Sequence, residues 1–253
     1  MNGYTAFTKK ELMENVRNYR LLLMAGLFLF FGVSSPLLAK FTPQLIEALD
    51  LNMEIIMGEP TAYDSWTQFY KNVSSLGISL MIILFSSCLS GEYAKGTLTI
   101  LFTKGLSRSA VILSKFTASV IIMTISFWLS FGAGCLYTAL LWPGESLRHV
   151  LLAAGVMWLA ALMYLCILML GCVLFRQAFT SILFLLVCTV ALSLLGMTPA
   201  FEAISPMFLI SKNLDLLNGA AEASQFVLPS LITAALSAGL LAAAVILFRK
   251  KQL

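Results

Sequence analysis

The chain has 253 residues, 60% of them apolar and only 11% charged, with a formal net charge of +4. A soluble domain carries about 25% charged residues, so so few charges cannot cover a water-facing surface and most of this chain must face lipid. The positive excess is small and scattered, with no basic stripe interleaved with aromatics, which excludes a nucleic-acid binder.

The N-terminal tail comes first. Thr8 and Glu11 have the spacing of a capping box, and Phe7 and Leu12 that of a hydrophobic staple, so a helix is expected to start at Thr8. Leu12, Val16 and Tyr19 form one apolar stripe, while Lys9, Lys10, Glu14 and Arg17 cover much of the rest. This pattern predicts a short amphipathic interfacial helix; a plain polar extension of the first span is the competing reading. Leu21 to Leu38 is the first uncharged apolar run. It is longer than the ~7–15 residues of a signal peptide, and Leu37 stands where a cleavage site needs a small residue, so it reads as a retained span.

Ala39 to Asn72 is the longest loop. Thr42-Pro43 reads as a helix start, Gly58-Glu59-Pro60 as a break, and a second short helix is expected to carry Trp66, Phe69 and Tyr70. The remaining apolar runs are Val73 to Leu89, Phe116 to Trp142, Val150 to Phe175, Phe179 to Met197 and Val227 to Phe248. Each fits the range of about 17–25 residues that crosses a bilayer, or slightly exceeds it. Thr198 to Phe226, broken by Pro199 and Pro206, is too interrupted for a span and too apolar for a free loop, so it should pack at the outer surface or turn partly back inward. On the last run, Ser230, Ala234, Ala238 and Ala242 share a face, with Ala235, Gly239 and Ala243 beside it. Small residues four apart let helices approach closely; a packing seam is expected, against a neighbouring span of the same chain in preference to a second subunit.

Basic residues set the orientation. With the N-terminus inside, the inner segments hold 12 of the 16 Lys and Arg residues; only Lys40, Lys71, Arg148 and Lys212 lie outside. The expected architecture is an all-α integral membrane protein, one transmembrane domain over residues 1–253 with six transmembrane helices and both ends inside. Trp66, Tyr70 and Trp142 are expected as outer interfacial anchors, Tyr19 and Tyr93 as inner ones. The five cysteines all fall in apolar runs without a CxxC pair, and read as small apolar residues.

The apolar runs contain no Asp, Glu, Lys, Arg or His, so nothing in them could couple to an ion gradient. Gly77-Ile78-Ser79 has a serine-protease-like triplet, but the only histidine, His149, lies at a span end. Gly91 to Thr97 has the glycine spacing of a phosphate loop and lacks its lysine. No repeat of two similar halves is visible, so inverted-repeat carriers find no support.

The inner segment from Gly91 to Lys115 is the most informative. Leu98, Leu101 and Phe102 recur at helical spacing, Thr103-Lys104-Gly105 ends a short helix, and Ser107 can cap the next one. The competing reading is a basic loop that only sets topology. Glu92, Gly96-Thr97-Leu98, Leu101, Thr103-Lys104, Ser107-Arg108 and Lys115 follow a pattern that resembles bacterial ABC-2-type transporter permeases; Lys10-Glu11-Leu12, Ser35 to Lys40 and Phe248 to Lys251 are similar as well. Gly105 departs from the proline common in relatives. The resemblance implies a bacterial cytoplasmic-membrane permease, not itself an enzyme, that pairs with a second permease and with ABC ATP-binding subunits. Those partners would hold ATP and Mg, leaving this chain without a cofactor. It also implies a cytoplasmic coupling helix between spans two and three, with Leu98, Leu101 and Phe102 filling a groove on the ATPase and Glu92, Lys104 and Arg108 at its rim. Relatives handle peptides, drugs, lipids, polysaccharides or ions, and export is usual. An immunity or assembly factor that transports nothing is the alternative.

Overall fold

The computed structural model describes residues 3–48, 59–103, 105–145, 147–202 and 204–251. Regular structure among them is entirely helical. Helix α1 (Gly3–Arg17) is followed by a turn at Tyr19, whose left-handed φ of 58° leads the chain into α2 (Arg20–Ala48). α3 (Ala62–Asn72) continues through a π-helical turn, Val73–Gly77, into α4 (Ile78–Lys95). α5 (Thr97–Thr103) is short, and α6 (Arg108–Leu141), α7 (Val150–Leu174) and α8 (Ala178–Gly196) are long. Three single α-turns, α9 (Pro199–Glu202), α10 (Phe208–Ser211) and α11 (Asp215–Asn218), and a 3-10 turn, Ala223–Phe226, lead into α12 (Val227–Lys250). Six helical stretches are long and apolar enough to cross a membrane.

The bundle is built around α7. In its most apolar stretch 78% of residues are buried, against 61% for α6, 22% for α12 and 11% for α8. α8 therefore presents Leu186, Val187, Val190 and Leu194 outward. The closest approach is between α2 and α6. A Cβ on Gly32 would lie 2.3 Å from the Ser130 carbonyl oxygen, and the Ser130 hydroxyl donates to the Phe28 carbonyl. Small residues let backbones touch, and in lipid this contact, with few hydroxyl hydrogen bonds, replaces the hydrophobic drive of water. α7 and α8 meet in the same way at Gly171, where a Cβ would be 3.1 Å from the Ser181 carbonyl.

Several expectations are corrected. Thr8 does not begin a helix: α1 starts at Gly3, and the Thr8 hydroxyl donates to the Tyr4 carbonyl within it. The buried face of α1 is Phe7, Glu11 and Asn15, whereas Val16 and Tyr19 of the expected stripe are 53% and 66% exposed. Thr42-Pro43 does not begin one either; α2 runs through both Pro36 and Pro43, and the Thr42 hydroxyl returns to the Leu38 carbonyl. In lipid no water competes for the freed carbonyls, so a proline bends a helix more readily than it ends one.

The helix carrying Trp66, Phe69 and Tyr70 exists, but it is the first part of the second span. Those side chains are at most 4% exposed, so Trp66 and Tyr70 are core residues and not interfacial anchors. Trp66 packs on Phe131 of α6 with ring centroids 5.3 Å apart, and Phe131 on Trp128 edge to face. Ser65 and Thr138 share a hydrogen bond of 2.8 Å beside them. The expected break at Gly58-Glu59-Pro60 falls partly outside the described residues, since Gly58 is not among them.

The seam on the last span is also placed differently. α12 packs on its own chain through Pro229, Thr233, Ser237, Ala244 and Phe248. Ala234, Ala235, Ala238, Gly239 and Ala242 are exposed, and Ser230 and Ala243 half-exposed. The intrachain seam is thus on the opposite face from the one expected. Between α8 and α12 the chain does fold back on the bundle: Asn213 donates to the Ala153 carbonyl at 2.7 Å, and the Tyr164 hydroxyl reaches Met207 Sδ at 3.9 Å. All five cysteines are free thiols, with Cys166 and Cys172 buried.

Candidate functional site at the basal end

α1, α5, the start of α6 and the end of α12 meet at one end of the bundle, called basal below. The segment singled out in the sequence forms a mount there. α4 closes on Gly96, which takes the left-handed conformation (φ 64°) that a side chain would resist. The Thr97 hydroxyl, at the first residue of α5, donates to the Glu92 carboxylate. α5 closes as expected around Gly105 (φ 83°): the Gly105 N–H reaches the Phe102 carbonyl at 2.9 Å and the Leu106 N–H the Leu101 carbonyl at 3.2 Å. That pair of bonds is a Schellman cap, with Leu101 and Leu106 at its apolar contact positions. Ser107 then caps α6, accepting from the Ala110 N–H at 3.2 Å. Lys104 lies outside the described residues.

The apolar face of α5 points inward. Leu98 is 2% exposed, and Leu101 and Phe102 are half-buried against the chain's own core. Phe102 packs on Phe248 of α12 with centroids 6.4 Å apart, and the Arg108 guanidinium lies 5.5 Å over its ring. Leu98 therefore cannot fill a groove on a partner, because this chain already encloses it. What α5 presents outward is Thr99, Ile100 (55% exposed) and Thr103. Arg108 also donates to the Arg249 and Lys251 carbonyls at the end of α12. Lys251 in turn donates to the Val173 and Leu174 carbonyls at 2.6 and 3.2 Å. Each cation satisfies carbonyls that a helix C-terminus leaves unpaired. Burial and the neighbouring Arg176 pull the Lys251 ammonium below its usual value.

A charge cluster lies behind α5, and the search for uncharged runs missed it. Lys115 of α6 is 4% exposed, and its ammonium donates to both Glu11 carboxylate oxygens at 3.0 Å and to Glu92 at 3.2 Å. Lys10 lies 3.1 Å from Glu11 and 2.6 Å from Glu14. Burial alone would lower the Lys10 ammonium, but the Glu14 hydrogen bond and the Glu11 charge outweigh it and raise it to about 12. The same bond holds the Glu14 carboxyl below its usual range. Glu11 thus serves Lys115 and not a capping box. The helices extend past the apolar runs, so ionisable groups do enter the bundle, at its basal end. A cavity of about 430 Å³ opens beside the cluster, bounded by Asn15, Arg20, Ser87, Ile100 and Leu101 among others.

Gly91 to Lys95 is helical, without the strand–loop–helix that a phosphate loop needs. The Ser79 hydroxyl is bound to the Ser75 carbonyl at 2.6 Å, and His149 stands at the opposite end of the bundle as the residue before α7. Among the described residues no cluster of His, Cys, Asp or Glu is arranged to hold a metal.

Six helical stretches long and apolar enough to cross a membrane, with a short, firmly mounted helix at one end, define a multi-pass membrane protein. The chain belongs to the ABC-2 family of transporter proteins, whose sequence pattern matches residues 5–218. It is also similar to YxlG of Bacillus subtilis (strain 168), described as an uncharacterised transmembrane protein, at 21% identity over 159 residues. That match spans 62% of this chain and 62% of the relative, less than two thirds of its length.

Proposed function

We propose that this chain is the permease subunit of an ATP-driven exporter in the bacterial cytoplasmic membrane. It works with a second permease, identical or related, and with separate ATP-binding subunits that hold ATP and Mg. The basal end faces the cytoplasm, in keeping with the 12-to-4 division of basic residues. The observation that carries the reading is the mounting of α5. Its inner face is locked to α4, α6 and α12, so a push on the outer face reaches the spans without being absorbed in a loose loop. The docking surface is then Thr99, Ile100 and Thr103, with Gly96 at one edge, in place of Leu98, Leu101 and Phe102.

Co-expression of the tagged chain with an ATP-binding subunit encoded beside it tests this. Burying the exposed part of Ile100 contributes roughly 1–2 kcal/mol, and aspartate there would bury an unpaired charge. Ile100→Asp is expected to leave the purified chain folded and to weaken capture of the ATPase by at least ~10-fold. Undiminished capture would show that α5 is not the docking surface.

A further inference from the structure

Lys115 is the most deeply buried charge among the described residues, and docking through Thr99, Ile100 and Thr103 does not use it. A buried lysine is tolerated only where its partners stay with it. Here the partners come from different elements: Glu11 from α1 at 3.0 Å and Glu92 from α4 at 3.2 Å. The Glu92 carboxylate also receives the hydroxyl of Thr97, which opens α5. One ammonium on α6 therefore ties α1, α4 and α5 to a common point.

α1 has other holds on α6. Tyr4 Oη and Thr117 Oγ1 lie 2.8 Å apart, the Ser114 hydroxyl donates to the Tyr4 carbonyl at 3.1 Å, and Phe7 is buried. Removing Lys115 leaves these in place. What it removes is the hydrogen-bonded link from α1 to Glu92 and so to α5; the Lys10 ammonium, 45% exposed, stays 3.7 Å from Glu92, too far for a hydrogen bond. Apolar contacts let helices slide because they have no preferred direction; short charge-assisted bonds do not.

We propose that Lys115 is a positioning residue that locks the N-terminus of α5 to α1, so that a displacement of α5 carries α1 with it. α1 then moves as part of the coupling device and not as a passive anchor. This rests on the docking reading above.

The test uses the chain in complex with its ATP-binding subunit, in a cysteine-free background, with spin labels at Met13 on α1 and Phe179 at the start of α8. Both positions are exposed, at 51% and 68%. The non-hydrolysable analogue AMP-PNP is expected to change the distance between them. Lys115→Met is expected to keep the ATPase bound and abolish that change. The exchanged pair Glu11→Lys with Lys115→Glu, which again gives one lysine facing two carboxylates, is expected to restore it. Should Lys115→Met fail to fold, the exchanged pair decides alone. A wild-type-sized change in Lys115→Met, or no change in the exchanged pair, overturns the proposal. So does a wild-type complex that binds its ATPase but shows no change on nucleotide, and that result leaves the docking reading standing. Failure of the wild-type chain to bind an ATPase at all overturns both.

Discussion

Replacing Gly32 with alanine probes the closest contact in the bundle. The added Cβ would sit 2.3 Å from the Ser130 carbonyl oxygen and 3.0 Å from its carbon. A relaxed carbon–oxygen contact is ~3.3 Å or longer, so α2 and α6 must separate by about 1 Å. Backbone stands on both sides of the clash, and no side chain can swing away to relieve it. Overpacking of this kind costs about 1–3 kcal/mol. The separation also stretches the hydrogen bond from Ser130 to the Phe28 carbonyl, a net loss of about 1 kcal/mol. Alanine returns about 1 kcal/mol through its better helix propensity. The balance is a destabilisation of about 1–3 kcal/mol, or a melting temperature lower by roughly 2–12 °C at this chain length. Tryptophan fluorescence of the purified chain in detergent measures it. Gly239→Ala is the control: a Cβ there meets nothing within 4 Å, so only the propensity gain remains. A Gly32→Ala protein that melts at or above the wild-type temperature would refute the close approach.

Gly239→Leu is expected not to lower the melting temperature of the isolated chain, because the small-residue face of α12 is turned outward and helix propensity favours leucine over glycine; a fall of several degrees would show that this face packs within the chain. Leu98→Asp places a charge in the core at a residue 2% exposed and should abolish recovery of folded protein, whereas Ile100→Asp, one turn-face away, should not; equal yields would contradict the inward orientation of α5. In intact cells, a cysteine at Lys212 is expected to react with an impermeant thiol reagent and one at Arg249 to stay unlabelled, and the reverse pattern would invert the orientation.

The six spans were legible because crossing lipid needs long uncharged runs, and such runs are visible in any register. Their ends were not. Lys40 lies inside α2, Lys71 inside α3 and Lys115 inside α6, since a helix keeps its backbone bonds whether or not its next residue is charged. The apolar-run criterion therefore cut the second span at Val73 and assigned the aromatics before it to the interface. Trp66 and Tyr70 look like anchors by type and place; only the partner rings on α6 show them to be core. The α12 stripe shows a related limit. Small residues at four-residue spacing mark a face that permits close approach, but Thr233, Ser237 and Ala244 on another face permit it equally, and the sequence does not say which one the chain uses.

The basal segment carries the same lesson into function. The residues that produced the family resemblance were read as a docking surface, yet most of them face inward. Glu92 receives Thr97 and Lys115, Leu98 is enclosed, Ser107 caps α6, and Arg108 holds the end of α12. Gly96, Thr103 and Ser107 are the exposed members among those described. The motif therefore describes how α5 is fastened more than what it touches. That division suits the force-transmitting role proposed for α5. A mount has to meet the same geometry of α4, α6 and α12 whatever the partner, and it fixes residue types at each contact. Thr99 and Ile100 fall in the gaps of the pattern, and in the proposed function they are the positions that meet the ATP-binding subunit.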